Sequence, residues 1–224
     1  MNDIAESYES GDKYRLTIPG LSYGVDLPYV ILDGTDPAIR IASLNLVGQI
    51  RLNQDFGALL AQKIKSAIGT PEGVIILTAV EKALQLTQVV AHLLGLDAVA
   101  VAYNRIKPHM EAARRQVIRV QMDSITSGDK CLVLYERDIN LILNARRGII
   151  LIDDVVSTGG TVYGLTRLIR ETLKSHPDRT PPELLGIFCV AQEGGALPDL
   201  PAPVISLATL PEPQQLQGAA DTNG

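Results

Sequence analysis

The chain has 224 residues, of which 46% are hydrophobic and 20% are charged, and its formal net charge at pH 7 is −5. This length and composition predict a folded protein with a sizeable core and argue against a disordered chain. The acidic charge argues against nucleic-acid binding through phosphates, and the polar N-terminus and the lack of an apolar run of roughly 18 residues argue against a signal peptide or a membrane span. We therefore expect a cytoplasmic protein without nucleic-acid or membrane partners.

Both ends of the chain are expected to lie outside the main core. Residues 1–13 are expected to be a loose N-terminus, and residues 211–224, rich in Pro, Gln and Gly, a disordered tail. From about 14 to 52, short polar–apolar alternation around 39–44 and several Pro and Gly residues predict a small hood. A helix from about 54 to 68 then leads into the core.

Five short apolar runs, alternating with helical periodicity, follow in the rest of the chain. Strands are predicted at 73–78, 98–103, 148–156, 184–191 and 204–210, with helices after the first strand and from 160 to about 175. Continuously apolar strands separated by amphipathic helices are typical of a parallel sheet covered on both faces. The sequence therefore predicts an α/β fold, with a single domain over residues 14–210.

Residues 105–135 interrupt this alternation. They contain a charged loop and then two alternating runs, at 117–122 and 130–135, which predict a β-hairpin. An insertion of this length inside a compact domain is more often functional than idle.

The most informative segment is residues 149–161, where an apolar strand ends in two adjacent carboxylates, Asp153 and Asp154, and a turn rich in Ser, Thr and Gly opens a helix. Ligands bind at the carboxyl ends of strands in open α/β sheets, and backbone N–H groups at a helix N-terminus form a phosphate cradle. The glycine spacing matches neither common nucleotide-binding motif. Two carboxylates beside a phosphate cradle suit a ribose 5-phosphate, whose neutral hydroxyls they can bind.

The glycines of this turn, Gly159 and Gly160, are expected to adopt positive-φ conformations that a β-branched side chain would block.

This segment resembles the phosphoribosyl-pyrophosphate (PRPP) signature of the type I phosphoribosyltransferases, in which two acids precede a T-G-G-T turn after a β-strand. The chain is most similar to the adenine and archaeal-type purine phosphoribosyltransferases. The same order of segments carries this similarity: R-I-K-P-H-M at 105–110, S-I-T-S-G at 124–128, L-Y at 134–135 and C-V-A-Q-E-G-G at 189–195. The similarity extends over about residues 20–210 and is strongest at 105–165.

The resemblance implies a parallel-sheet, Rossmann-like core with helices on both faces, a hood built from N-terminal and C-terminal segments, and a flap hairpin at about 105–135. The family's pyrophosphate loop follows the first core strand, where this chain has Glu81, Lys82 and Ala83, and often contains a non-proline cis peptide bond. Ala83 stands where relatives commonly have glycine. Arg105 and Lys107 would contact pyrophosphate from the flap, which closes and excludes water.

The implied reaction is the Mg²⁺-dependent transfer of the 5-phosphoribosyl group from PRPP to a purine base, a step of purine salvage that gives a nucleoside monophosphate and pyrophosphate. The resemblance implies that Asp153, Asp154, Lys82 and Arg105 are the catalytic residues. Mg²⁺ would be held mainly through PRPP, with Asp153 or Asp154 contributing through water. The PRPP site would also include Val155, Ser157, Thr158, Gly159, Gly160 and Thr161.

The partners implied are PRPP, a purine base and a second copy of the chain in a homodimer. Ser157 stands where many 6-oxopurine enzymes have an aspartate, which favours adenine as the base, although archaeal-type enzymes for hypoxanthine and guanine also have serine there. A 6-oxopurine (hypoxanthine, guanine or xanthine) phosphoribosyltransferase and a non-catalytic, PRPP-sensing regulator therefore remain as alternatives.

Overall fold

A computed structural model describes residues 7–32, 37–122, 131–195 and 197–216 of the chain. The elements follow in the order β1 (Ser7–Leu16), β2 (Val25–Leu32), β3 (Ile39–Ala42), α1 (Ile50–Ile68), β4 (Val74–Ala79), α2 (Leu84–Leu94), β5 (Ala100–Ala102), a 3₁₀ turn (Pro108–Met110), β6 (Val117–Gln121), β7 (Cys131–Tyr135), α3 (Glu136–Leu143), β8 (Gly148–Val156), α4 (Gly160–Lys174), β9 (Leu184–Glu193), β10 (Val204–Leu210) and β11 (Gln214–Gln215).

The core of the protein is a five-stranded sheet with the strand order β10-β9-β8-β4-β5. Every neighbouring pair in this sheet is parallel. The α/β fold predicted from the sequence is therefore confirmed, and strands β8 and β10 have the predicted bounds. All five strands end at the same edge of the sheet, which brings the loops after β4, β5 and β8 close together.

Helices cover both faces of this sheet. Helices α1 and α2 pack on one face with Ile150 and Ile152 of β8, whereas α3 and α4 pack on the other with Ile149 and Leu151. The alternation follows from the period of two along a strand, which sends neighbouring side chains to opposite faces. Within the described part of the chain, no helix is both long enough and apolar enough to cross a membrane.

A separate antiparallel sheet, with the order β1-β2-β3-β11, forms the hood from N-terminal and C-terminal segments. Two expectations differ from this arrangement: residues 7–13 belong to β1, and residues 214–215 pair with β3. Both segments are polar, and backbone pairing at a strand needs no apolar side chains, which is why composition alone made them look loose. Residues 1–6 and 217–224 lie outside the described residues.

Strands β6 and β7 form the predicted hairpin, but its strands are part of the core. Ile118, Val120, Leu132 and Leu134 are buried in the cluster that also contains the inner face of α4. The expectation that all of 105–135 is a flap is therefore too broad, because these strands hold buried apolar side chains against a helix. The S-I-T-S-G segment at 124–128 lies outside the described residues.

Candidate active site

The two carboxylates lie near the end of β8 at the carboxyl edge of the sheet. Asp153 is opposite Cys189 of β9, and Asp154 is 7% exposed. The backbone N–H of Asp154 donates to Oδ1 of Asp153 at 2.9 Å. Burial raises the pKa of Asp153 well above its ordinary range, the neighbouring Asp154 adds to the rise, and the ammonium of Lys82 opposes it. Two buried carboxyl groups this close resist ionising together, and a ligand with hydroxyl donors can stabilise the ionised form.

Cys189 is the nearest thiol to this pair and is fully buried. Burial and the neighbouring Asp153 raise the pKa of this thiol to about 12. The thiol is therefore protonated at neutral pH and is not a nucleophile.

The turn after β8 leads directly into the N-terminus of α4, as predicted. Gly159 has a φ of 77° and its carbonyl accepts the N–H of Tyr163 at 2.9 Å. A Cβ on Gly159 would lie 2.6 Å from Cδ2 of Leu200, so both conformation and space require glycine. The first N–H groups of a helix have no intrahelical partner and lie at the positive end of its dipole, which suits a phosphate.

Gly160 differs from its neighbour, and the expectation of a positive φ is wrong for it. Gly160 is the first residue of α4 and is absent from the positive-φ glycines of the described chain. A Cβ there would meet only Oγ1 of Thr158, at an ordinary 3.8 Å. Helical backbone at this position accepts any L-residue, so the turn has one obligatory glycine rather than two.

The loop after β4 lies beside the carboxylate pair because β4 is the neighbour of β8 in the sheet. Glu81 and Lys82 are exposed on this loop, and the peptide bond between Val80 and Glu81 is cis. Ala83 is 1% exposed, so its methyl group packs inside the protein and adds no surface to the loop. The ligand-facing surface of the loop therefore comes from the residues before Ala83.

Arg105 and Lys107 follow β5, on the other side of the same loop. The N–H of Val80 donates to the carbonyl of Ala102 at 2.9 Å, which ties the start of the pyrophosphate loop to the end of β5. Arg105 is exposed and Lys107 is partly buried. Three positive side chains, Lys82 included, thus follow two adjacent strand ends.

The remaining predicted residues of the PRPP site divide into two groups. Ser157, Thr158 and Thr161 flank the turn with partly buried or exposed side chains. Val155 instead packs against the core that contains α1 and α2. Its side chain therefore supports the strand end, and only its backbone remains for a ligand.

The hood lies at the same edge of the sheet. Only residues 211–213 separate the carboxyl end of β10 from β11, which pairs with β3. On the opposite side of the hood, the N–H of Gly48 donates to Oε1 of Gln85, at the start of α2, at 2.7 Å. These two connections hold the hood next to the loops that carry Lys82 and the carboxylates.

Two residues of this edge were not singled out in the sequence. Thr78 is fully buried, and its hydroxyl donates to the carbonyl of Ile152 at 2.8 Å, which locks the ends of β4 and β8 together. Glu193 ends β9, and burial raises the pKa of its carboxyl group. A threonine at the end of an apolar run and an acid at the end of the next strand are the signals that point to them.

Solved structures of adenine phosphoribosyltransferases share this fold. The enzyme from Thermoanaerobacter pseudethanolicus is 12% identical, with a TM-score of 0.51 over 75% of this chain and 95% of that chain. The enzyme from Rhodothermus marinus is 14% identical, with a TM-score of 0.52 over 88% of this chain and 94% of that chain. No protein-family model and no curated protein sequence matches the chain.

At these identities the likeness establishes the fold. The chain therefore has the phosphoribosyltransferase fold, as the resemblance of residues 149–161 implies. The two adenine phosphoribosyltransferases are its structural neighbours.

Proposed function

We propose that this protein is a phosphoribosyltransferase that transfers the 5-phosphoribosyl group from PRPP to a purine base. The observation that carries the proposal is the pair Asp153 and Asp154 directly before the N-terminus of α4, at the carboxyl edge of a parallel sheet. This arrangement offers carboxylates to a ribose diol and backbone N–H groups to its 5-phosphate. The shared fold supports the same reading.

The 5-phosphate would bind at residues 157–161. The left-handed turn at Gly159 would let the hydroxyls of Ser157, Thr158 and Thr161 and the first N–H groups of α4 surround one anion. The carboxylates would accept hydrogen bonds from the two ribose hydroxyls. Charged hydrogen bonds of this kind stabilise a complex by about 1.5–3 kcal/mol each.

The pyrophosphate would lie across the loops after β4 and β5. Lys82, Arg105 and Lys107 supply positive charge there, and the N-terminus of α2 adds its dipole. As the bond from ribose C1 to the pyrophosphate oxygen breaks, negative charge grows on the leaving group and positive charge on the sugar. The cationic side chains stabilise the first, and Asp153 and Asp154 the second.

Magnesium fits this site as a partner of the substrate. Among the described residues, no cluster of three or more His, Cys, Asp or Glu side chains could hold a metal ion. Mg²⁺ is commonly bound by one or two carboxylates together with substrate phosphates, and here it would be held mainly through PRPP, with Asp153 or Asp154 contributing through water. When bound, Mg²⁺ neutralises charge on the pyrophosphate.

Adenine is the base that we propose. Ser157 follows the carboxylates at the site and carries a hydroxyl that cannot act as a general acid or base near neutral pH. Many enzymes for 6-oxopurines instead have an aspartate at this position, which can manage the proton of the base, although archaeal-type enzymes have serine there. The hood, with β3 as its central strand, would cover the purine.

The proposed enzyme acts in the cytoplasm as a homodimer. Val47, Ile50 and Leu84 are 47%, 72% and 37% exposed, and the bond from Gly48 to Gln85 brings the turn at 47–50 next to the start of α2. A second copy would cover this apolar surface beside the pyrophosphate loop. Sedimentation of the parent protein and of Ile50→Glu tests the dimer, which the variant should dissociate.

The decisive experiment incubates purified protein with Mg²⁺ and PRPP and offers adenine, hypoxanthine, guanine, xanthine and orotate in turn. Nucleotide and pyrophosphate should form in equal amounts with adenine. The variant Asp154→Asn serves as the control for contaminating activity. PRPP binding without transfer to any base would instead identify a PRPP-sensing regulator.

A further inference from the structure

The segment between β5 and β6 is anchored on its buried side by Met110. This side chain is fully buried against Cys131 and Val133 of β7. Its sulfur accepts the N–H of Lys107 at 3.3 Å, and the thiol of Cys131 donates to the carbonyl of Asn104 at 3.5 Å. The two residues between Asn104 and Lys107 therefore lie between two backbone positions that hydrogen bonds hold in place.

On the exposed side of the segment, the ring of His109 packs against two tyrosine rings. Its centroid lies 5.7 Å from that of Tyr103 and 5.3 Å from that of Tyr135, with interplanar angles of 65° and 81°. The two tyrosine rings lie 6.0 Å apart at 64°. All three pairs have the edge-to-face geometry that aromatic rings prefer. His109 is thus the member of the cluster that follows Arg105 and Lys107 in the segment.

The tyrosines are fixed independently of the segment. Tyr103 and Val133 exchange two backbone hydrogen bonds of 2.8 Å, and Tyr135 ends β7, directly before α3. The ring of His109 therefore rests on a rigid support at the end of the sheet. Losing this ring would loosen the segment while the buried side chain of Met110 stays in place.

We propose that His109 is a positioning residue that holds Arg105 and Lys107 ready for the pyrophosphate of PRPP. The inference rests on the proposed function. The segment starts directly after Ala102, whose carbonyl accepts the N–H of Val80, so it follows the strand end beside the loop that carries Lys82. A segment that is already ordered loses less conformational freedom when the anion binds.

Limited trypsin digestion tests the anchor without any reference to activity. Trypsin cuts after Arg105, whereas the following proline protects the bond after Lys107. His109→Ala should speed the cut after Arg105 by about tenfold relative to the cut after Arg179, an exposed site in the loop after α4. His109→Phe keeps an aromatic ring and should keep the parent rate. Tyr135→Leu removes the support and should match His109→Ala.

Steady-state kinetics test the positioning role. His109→Ala should raise the KM for PRPP by about fivefold to tenfold, with a smaller effect on kcat and none on the KM for the purine, because the proposed loss is in the ordering of the pyrophosphate contacts. His109→Phe should restore the parent KM. The double variant His109→Ala/Tyr135→Leu should be no worse than either single variant, since both remove one contact.

The outcomes separate four failures. If His109→Ala leaves the rate of cleavage after Arg105 unchanged, His109 does not anchor the segment, whatever the kinetic results are. A faster cut with unchanged PRPP kinetics overturns the positioning role and leaves the transferase intact. If His109→Phe is cut as slowly as the parent but does not recover the parent KM for PRPP, the imidazole itself contacts the substrate, which also overturns the proposal. A parent protein that transfers no phosphoribosyl group refutes the proposed function and with it the pyrophosphate role, while the digestion still decides the anchor.

Discussion

The main-chain N–H of Asp154 donates to the side-chain carboxylate of Asp153 at 2.9 Å, so the two adjacent acids of the site are not equivalent. Asp153 is held by this bond, and burial and its neighbour raise its pKa. Asp154, 7% exposed, is the acid whose backbone supplies the donor. Asp153 thus uses part of its hydrogen-bonding capacity within the protein, on the backbone of its neighbour.

Asp154→Asn and Asp153→Asn should each lower kcat/KM for PRPP by about tenfold or more, because each removes the charge from a hydrogen bond worth about 1.5–3 kcal/mol. Steady-state kinetics with varied PRPP measure the effect, and circular dichroism checks that both variants remain folded. Parent-like kinetics in both variants would contradict the assignment of the sugar site.

The same aspartate makes the ligand-free protein sensitive to pH. The folded state raises the pKa of Asp153, so it binds this proton more tightly than the unfolded chain does. The free energy of unfolding therefore falls as pH rises from about 3.9, the ordinary carboxyl value, through the raised pKa. Asp153→Asn removes this dependence and should be more stable than the parent at neutral pH.

Urea unfolding of the parent and Asp153→Asn between pH 3.5 and 8 measures this difference. Asp138 and Glu193 also have raised pKa values through burial, so only the difference between the two proteins isolates Asp153. Parallel plots of the free energy of unfolding against pH for the parent and the variant would show that Asp153 contributes no pH dependence to stability.

Gly159→Ala and Gly160→Ala form a matched pair in the phosphate turn. Gly159→Ala forces a side chain into φ 77° and toward Leu200, so it should lower the melting temperature and abolish binding of ribose 5-phosphate. Gly160→Ala adds a methyl group in open space at the first position of α4 and should leave stability unchanged or raise it by up to about 1 kcal/mol. Calorimetry measures both quantities, and equal behaviour of the two variants would contradict this account of the turn.

The strand that carries the acids was predictable to the residue, whereas helix α3 was not. The run at 148–156 is continuously apolar until Asp153, which is the pattern of a buried parallel strand. Helix α3, Glu136–Leu143, has eight residues, and two turns repeat a 3.6-residue period too few times to stand out. Local pattern thus located the strands that position the site and missed an element whose helicity depends on tertiary packing.

The hood could be predicted only in outline, because its pairing is long-range. Arg40 of β3 bonds Asp12 of β1 at 2.6 Å and Gln214 of β11 at 3.2 Å, and its guanidinium lies 3.8 Å from the ring centroid of Tyr29 of β2. One side chain thus joins four strands whose contacting residues are up to 202 positions apart in the sequence. No local pattern in the sequence indicates such a contact.

Arg40→Met should loosen the hood and raise the KM for the purine by several-fold, with little change in the KM for PRPP, because the hood is proposed to cover the base only. Hydrogen exchange at residues 214–216 should accelerate as β11 loses its side-chain link. Arg15→Met is the control, since Arg15 pairs with Asp26 within the same sheet but is 59% exposed and contributes little. Equal effects of the two variants would refute a special role for Arg40.

The choice of base depends on Ser157, which lies between the carboxylate pair and the phosphate turn. Its hydroxyl does not titrate near neutral pH, so it cannot exchange a proton with a 6-oxopurine. A site built for the donor pattern of adenine leaves buried groups unpaired when hypoxanthine binds, and such mismatches are rejected strongly. We expect kcat/KM for adenine to exceed that for hypoxanthine by at least roughly tenfold.

Ser157→Asp should lower that ratio by raising kcat/KM for hypoxanthine, because the variant has a carboxylate that can take the proton. Competition assays with both bases measure the ratio directly. Comparable or faster turnover of hypoxanthine or guanine by the parent would reverse the choice of base and leave phosphoribosyl transfer standing, because the acids and the phosphate turn do not touch the purine ring.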